Sequence, residues 1–128
     1  MFISVKNREE DCNYCEKILD SIDDRKLEGI ISTIVVAEVL VGFYQNKEVQ
    51  EGEKFMMHVL QKYKVIPVGI EISNKAAKLR SESNIKLPDA IVAVTAFDAD
   101  FLITKDDDIK RKIKSAIMPK EFVVKHLQ

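Results

Sequence analysis

The sequence predicts an α/β fold with a central parallel sheet flanked by helices. Three observations predict it. Strand-like apolar runs alternate with segments of helical period along the whole chain. The strand cores, such as Gly29-Ile30-Ile31 and Phe101-Leu102-Ile103, are continuously apolar, as in sheets covered on both faces. Gly (4) and Pro (3) are few and scattered, so no linker divides the 128 residues. A chain of this length buries roughly two-thirds of its unfolded surface, and residues 1–128 are expected to form a single domain.

The elements follow in order. From about Arg8 to Asp24, Cys12, Cys15, Ile18, Leu19 and Ile22 recur at spacings of three and four and line one face of a helix. Leu27 to Ser32 reads as a short buried strand. Thr33 to Gln45 is apolar almost throughout, which predicts a helix buried on most sides. Glu48 to Lys64 is amphipathic, and its Phe55, Met56, Val59 and Leu60, with Val41, Phe43 and Tyr44 before them, read as core in preference to a dimer surface. Val65 to Val68 is a strand whose Pro67 suits a sheet edge. A helix over Ile72 to Glu82 buries Ile72, Ala76 and Leu79. Pro88 fits the first turn of the next helix, which runs to about Asp98. Phe101 to Thr104 is a strand, Asp107 to Lys114 a short helix, and Phe122-Val123-Val124 a last strand. Ligands of such folds sit outside the carboxyl ends of the strands.

Charge and composition exclude several functions. Lys plus Arg (20) nearly balances Asp plus Glu (21), giving a net charge of −1, so nucleic-acid binding must rest on a local basic patch. No apolar run approaches the ~18 residues of a membrane span. No charged segment followed by an apolar one opens the chain, and two cysteines build no disulfide framework, so a cytoplasmic protein with reduced thiols is expected. No glycine-rich phosphate loop is present, which argues against triphosphate chemistry. Cys12 and Cys15 form a C-x-x-C but lack two further ligands, and His58 and His126 stand isolated.

The acids are more informative. Glu38 lies among Ile34, Val35, Val41 and Gly42 at helical spacing, and Asp89 has Val92 and Ala93 as helical neighbours. A carboxylate on such a face needs a cation, a helix N-terminus or open water to offset its desolvation. A third acidic group, Asp106-Asp107-Asp108, follows the strand ending at Thr104. Each has a plain structural reading: a rim position for Glu38, a helix-dipole partner for Asp89, an N-cap for the aspartate run. Together they place Glu38, Asp89 and Asp106 where one edge of the sheet gathers them, with no Lys or Arg assigned to neutralise them. Three such carboxylates suit a hard divalent cation, Mg²⁺ or Mn²⁺, which typically serves phosphoryl chemistry. Lys105, Lys110 and Arg111 lie beside the acidic run and read equally as a solvated helix face or as a hold on nucleic-acid phosphates.

These residues resemble a known family. Gly29 to Leu40, with Ser32-Thr33 and Glu38, looks like the second motif of PIN domains, and Leu87 to Ala96, with Asp89, like the third. Phe101-Leu102-Ile103-Thr104-Lys105-Asp106 resembles the apolar-triplet T-x-D motif that follows. The order and spacing, with Ala77-Lys78-Leu79-Arg80 before the third motif, resemble the VapC-type toxins of toxin–antitoxin pairs over about Met1 to Val124. The resemblance implies a PIN-like three-layer fold and a Mg²⁺- or Mn²⁺-dependent endoribonuclease acting on single-stranded RNA. It implies metal-binding, catalytic roles for Glu38, Asp89 and Asp106, support from Ser32, Thr33 and Thr104, and Asp108 as a further acid. It also implies a homodimer and an antitoxin that covers the acidic cleft. The family's opening strand, which ends in Asp-x-Asn, has no clear counterpart. Either that strand is missing, or Phe2 to Val5 replace it with Val5-Lys6-Asn7 in the motif's place. On either placement the first acid is absent, and the alternative function is a catalytically impaired PIN-like binding or regulatory module.

Overall fold

A computed structural model of the chain describes residues 2–3 and 12–127. Five strands and seven helices alternate along it: β1 (Phe2–Ile3), α1 (Cys12–Asp23), β2 (Gly29–Ser32), α2 (Thr33–Gln45), α3 (Val49–Lys62), β3 (Tyr63–Ile66), α4 (Ile70–Ser83), α5 (Leu87–Thr95), β4 (Leu102–Ile103), α6 (Asp107–Lys112), β5 (Ala116–Ile117) and α7 (Pro119–Phe122). A single 3₁₀ turn, Ala96–Asp98, extends α5, and a wide π-type turn, Val123–Leu127, extends α7.

All the strands run parallel, in the order β3-β2-β1-β4-β5. The pairing settles the question of the first strand. Phe2 pairs with Ile30 of β2 on one side and Leu102 of β4 on the other, so residues near the N-terminus do occupy the central slot. Of the two placements expected, the replacement of that strand by residues from Phe2 onward is the one that holds, at Phe2 and Ile3. Val5-Lys6-Asn7 lie outside the described residues, as does the expected helical start between Arg8 and Asp11. The chain moves outward from β1 to β2 and β3, then returns to the other side of β1 for β4 and β5. That reversal makes β1 the switch point, and folds of this kind take their ligands outside the carboxyl ends of the strands there.

Two apolar clusters hold the layers together. One gathers Ile31, Val35, Val59, Ala76, the run Ala90 to Val94, and Leu102. The other gathers Ile18 and Ile22 of α1 with Ile103, Ile117, Phe122 and Val123. The Ile18–Ile22 spacing of one helical turn is what lets α1 bury both side chains on one face. Pro88 sits in the first turn of α5, as expected, where its missing N–H costs nothing. β3 begins at Tyr63, two residues before the expected strand, and lies on the sheet edge that Pro67 indicated.

Two expectations fail. Phe122-Val123-Val124 is helical, and the fifth strand is Ala116–Ile117 instead. Three apolar residues carry no period, and Pro119 presets a helical first turn just before them. Phe122 and Val123 are buried against α1, while Val124 is 51% exposed. The second failure is α2. It packs mainly on β2, α3 and α5, and Val35 is its one buried residue. Val41 is 50% and Tyr44 46% exposed, so the helix is covered on less of its circumference than its composition predicts. The expected core strip likewise divides: Val59 is buried, whereas Leu60 is exposed.

Candidate acidic site at the sheet edge

Two buried hydroxyls stand at the carboxyl edge of the sheet. Ser32 and Thr104 are the buried polar side chains among the described residues, at 0% and 3% exposure. Each stands two residues beyond a partner of Phe2, so they lie at one level on either side of the central strand. Ser32 caps α2, its hydroxyl accepting the Ile34 N–H at 3.3 Å. Thr104 accepts the Asp106 N–H at 3.1 Å and so turns the chain out of β4. Thr33, beside Ser32, accepts the Val68 N–H at 3.2 Å and ties the segment after β3 to the start of α2. The three hydroxyls expected to support the site all shape the strand-to-helix turns that form its edge.

The acids arrive on three elements. Asp106 is the N-cap of α6, and its Oδ1 accepts both the Asp108 N–H (2.9 Å) and the Ile109 N–H (3.2 Å). That fixes its position directly after β4. Asp89 lies in the first turn of α5, half-buried, on a helix whose following five residues are all buried. The N-terminal dipole favours its charge there. Glu38 is in the second turn of α2 and is exposed, so of the alternatives open to it the carboxylate takes the solvated rim position. Its neighbours Val41 and Gly42 are themselves exposed. Carboxylate and hydroxyl oxygens are the donors a hard divalent ion takes. In kind, then, the set fits such an ion. As a cage it does not: among the described residues no group of three or more His, Cys, Asp or Glu is arranged to hold a metal.

Asp108 is engaged elsewhere. Its Oδ1 meets the Arg111 guanidinium and its Oδ2 lies 3.0 Å from the Lys112 ammonium, both within α6. Hydrogen bonds from Lys112 and then Arg111 hold its carboxyl below the usual 3.8. Cations therefore stand beside the acidic run, and two of them engage Asp108. Lys110 Nζ lies 3.6 Å from Glu121, and Lys105, half-buried, also has a partner. Such solvent-accessible pairs are individually weak.

The model of the PIN domain family matches residues 1–114. The chain belongs to the PIN domain family. Its fold is that of a toxin–antitoxin complex from Klebsiella pneumoniae (TM-score 0.62, 24% identity, covering 92% of this chain and 96% of that one). It is equally that of VapBC2 from Rickettsia felis bound to a DNA fragment from its promoter (TM-score 0.63, 20% identity, 92% and 97% covered). No curated protein matches it. No helix among the described residues is long and apolar enough to cross a membrane.

At the opposite end of this PIN domain's sheet lies a group that sequence reasoning missed. Asp23, at the end of α1, has a buried Oδ1 that stands 3.0 Å from His58 Nε2 on α3 without a well-directed hydrogen bond. Burial, then the Asp23 charge, push the nearby Tyr63 phenol from 10.0 up to about 12. Beside them a cleft of about 420 Å³ is lined by Arg25, Glu28, Lys62 and Lys64. These residues are far apart in sequence and carry no spacing that announces a pair. The pair is a partner for His58 that no ligand spacing in the sequence indicates. His126, also read as isolated, stacks on Phe101 and Phe122 with ring centroids 4.6 and 5.2 Å away. Cys15 is half-buried on α1.

Proposed function

We propose that this PIN domain is a Mg²⁺- or Mn²⁺-dependent endoribonuclease of the VapC toxin type, cutting single-stranded RNA in the cytoplasm as a homodimer and held in check by an antitoxin. The observation that carries this reading is the family membership of a chain whose Asp106 and two buried hydroxyls line the carboxyl edge at the switch point. Glu38, Asp89 and Asp106 are assigned as the acids of that edge. Mg²⁺ commonly keeps most of its waters and binds through one or two carboxylates plus the substrate's phosphate, so a cage of three protein ligands is not required. When bound, the ion polarises a phosphodiester and makes its coordinated water more acidic.

The chain's own residues do the placing. Thr104 and the α6 N-terminus hold Asp106, the first turn of α5 holds Asp89, and α2 carries Glu38. Lys105, Lys110 and Arg111 are assigned to RNA phosphates and Asp108 to keeping Arg111 extended beside the edge. The antitoxin is assigned to the acidic crevice. A second reading, a binding or regulatory module without turnover, is favoured by the absence of a three-acid group among the described residues. Incubation with single-stranded oligoribonucleotides separates the two. The nuclease reading expects fragments with Mg²⁺ or Mn²⁺ and none with EDTA, and saturable Mn²⁺ uptake by calorimetry. Intact RNA and no heat of Mn²⁺ binding favour the module.

A further inference from the structure

The cleft at the amino end of the sheet holds more positive charge than its lining balances. It lies where α1 and α3 end and β2 and β3 begin, across the sheet from the acidic edge. Arg25, Lys62 and Lys64 line it, with Glu28 as the one carboxylate among its lining residues. Lys54 on α3 and Lys75 on α4 each meet a carboxylate one turn away. Among the described residues none of Arg25, Lys62 and Lys64 forms an ion pair, and the Asp23 carboxylate faces His58 instead. In a chain of net charge −1, that makes the cleft a local basic patch.

Helix capping accounts for part of this charge. Arg25 donates to the Gln61 carbonyl at 3.4 Å and Lys62 to the Asp23 carbonyl at 3.3 Å, so each caps the end of the other's helix. Both bonds are long and end on neutral oxygens, which leaves the charges available to an anion. Arg25 also takes a left-handed backbone (φ 61°), a helix-end position that glycine fills at least cost. Lys64 caps nothing. It is exposed on β3, the outer strand of the sheet. Tyr63 lines the same cleft, and its ring lies against β2 only because Gly29 has no Cβ, which would stand 2.7 Å from it. Its phenol, pushed up to about 12, is uncharged at neutral pH and repels no anion.

We propose that this cleft binds the phosphate group of a nucleotide, with Arg25, Lys62 and Lys64 as its counter-charges. A guanidinium fork and two ammonium groups are the donors that phosphate oxygens take. The volume of about 420 Å³ lies within the range of small-molecule sites. A bare phosphate leaves most of it empty, and the remaining room beside the Tyr63 ring suits a sugar and base. A free nucleotide and a nucleotide within a strand present the same group. The proposal goes beyond the acidic edge and holds for a nuclease and a binding module alike.

Amide NMR titration of the full chain, freed of divalent ions, tests it. The resonances of Gly29, Lys62 and Lys64 are followed as inorganic phosphate, adenosine monophosphate or a single-stranded oligoribonucleotide is added at constant ionic strength. The expected result is a saturable shift at those amides with each probe, and tighter binding of the mononucleotide than of phosphate. Affinity should fall about tenfold in Lys64→Gln, return in Lys64→Arg, and stay unchanged in Lys54→Gln. A strand bound more tightly than the mononucleotide places the phosphate in nucleic acid; a strand bound no more tightly places it on a free nucleotide. Shifts that do not saturate, or that chloride at the same ionic strength reproduces, overturn the site. So does a Lys64→Gln variant that binds as wild type does. Phosphate bound as tightly as the mononucleotide overturns the assignment to a nucleotide.

Discussion

Asp106 has two roles that can be separated by substitution. As N-cap it accepts two backbone N–H groups of α6, and in the proposed function it is one of the acids of the edge. Asn caps as well as Asp, whereas Ala loses the cap at a cost of about 1 kcal/mol. Asp106→Asn should therefore keep its melting temperature and lose RNA cleavage, and Asp106→Ala should lose both; thermal melts beside a cleavage assay check this. Tyr63 supplies a pH dependence. Its folded value of about 12 exceeds the ordinary 10.0, so the protonated phenol's contribution is complete below pH 10 and is lost as pH climbs through 12. The wild-type denaturation midpoint should fall across that range, and Tyr63→Phe should flatten the fall. Asp108 has the opposite sign. Lys112 and Arg111 depress its carboxyl, so what it contributes is present above 3.8 and disappears as pH drops through its lowered value.

Elements show where sequence reasoning succeeds and where it stops. α1, α3, α4 and α5 each carry a helical period or a Pro in the first turn, and each forms close to its expected span. Phe122–Val124 had no period, so burial alone could not separate strand from helix, and α7 took it. α2 had the strongest apolar signal and the wrong implication. Its composition gives the amount of apolar surface, but whether a neighbour covers it depends on how far the helix extends past the sheet. In the site, Ser32, Thr104 and Asp106 were readable because strand ends and caps have local signatures. The Asp23–His58 pair was not, because it is made by the α1–α3 packing alone. The β2–β3 pairing yields a prediction of its own. Gly29→Ala would drive a methyl to within 2.9 Å of Ile22 and closer still to the Tyr63 ring. That overpacking should cost about 1–3 kcal/mol in urea unfolding. An unchanged midpoint would mean that the ring moves aside freely.

At the scale of the molecule, strand order matters more than any single motif. Placing Phe2–Ile3 between β2 and β4 makes one reversal in the sheet, and that reversal puts Ser32, Thr104 and Asp106 on a common edge. The acids on α5 and α2 then have an edge to serve. Because the described residues hold no ready cage of three ligands, the ion should bind weakly by itself and more tightly with RNA present, which Mn²⁺ calorimetry with and without a non-hydrolysable oligoribonucleotide analogue checks. Equal affinity in both conditions would speak for a preformed site. The most direct measurement of the central claim is the initial rate of RNA cleavage by wild type and Asp89→Asn in Mn²⁺, with melting curves of both. The expected result is a loss of about 100-fold or more with matched melting temperatures. Equal rates in two equally folded proteins would contradict the assignment of this edge as the site.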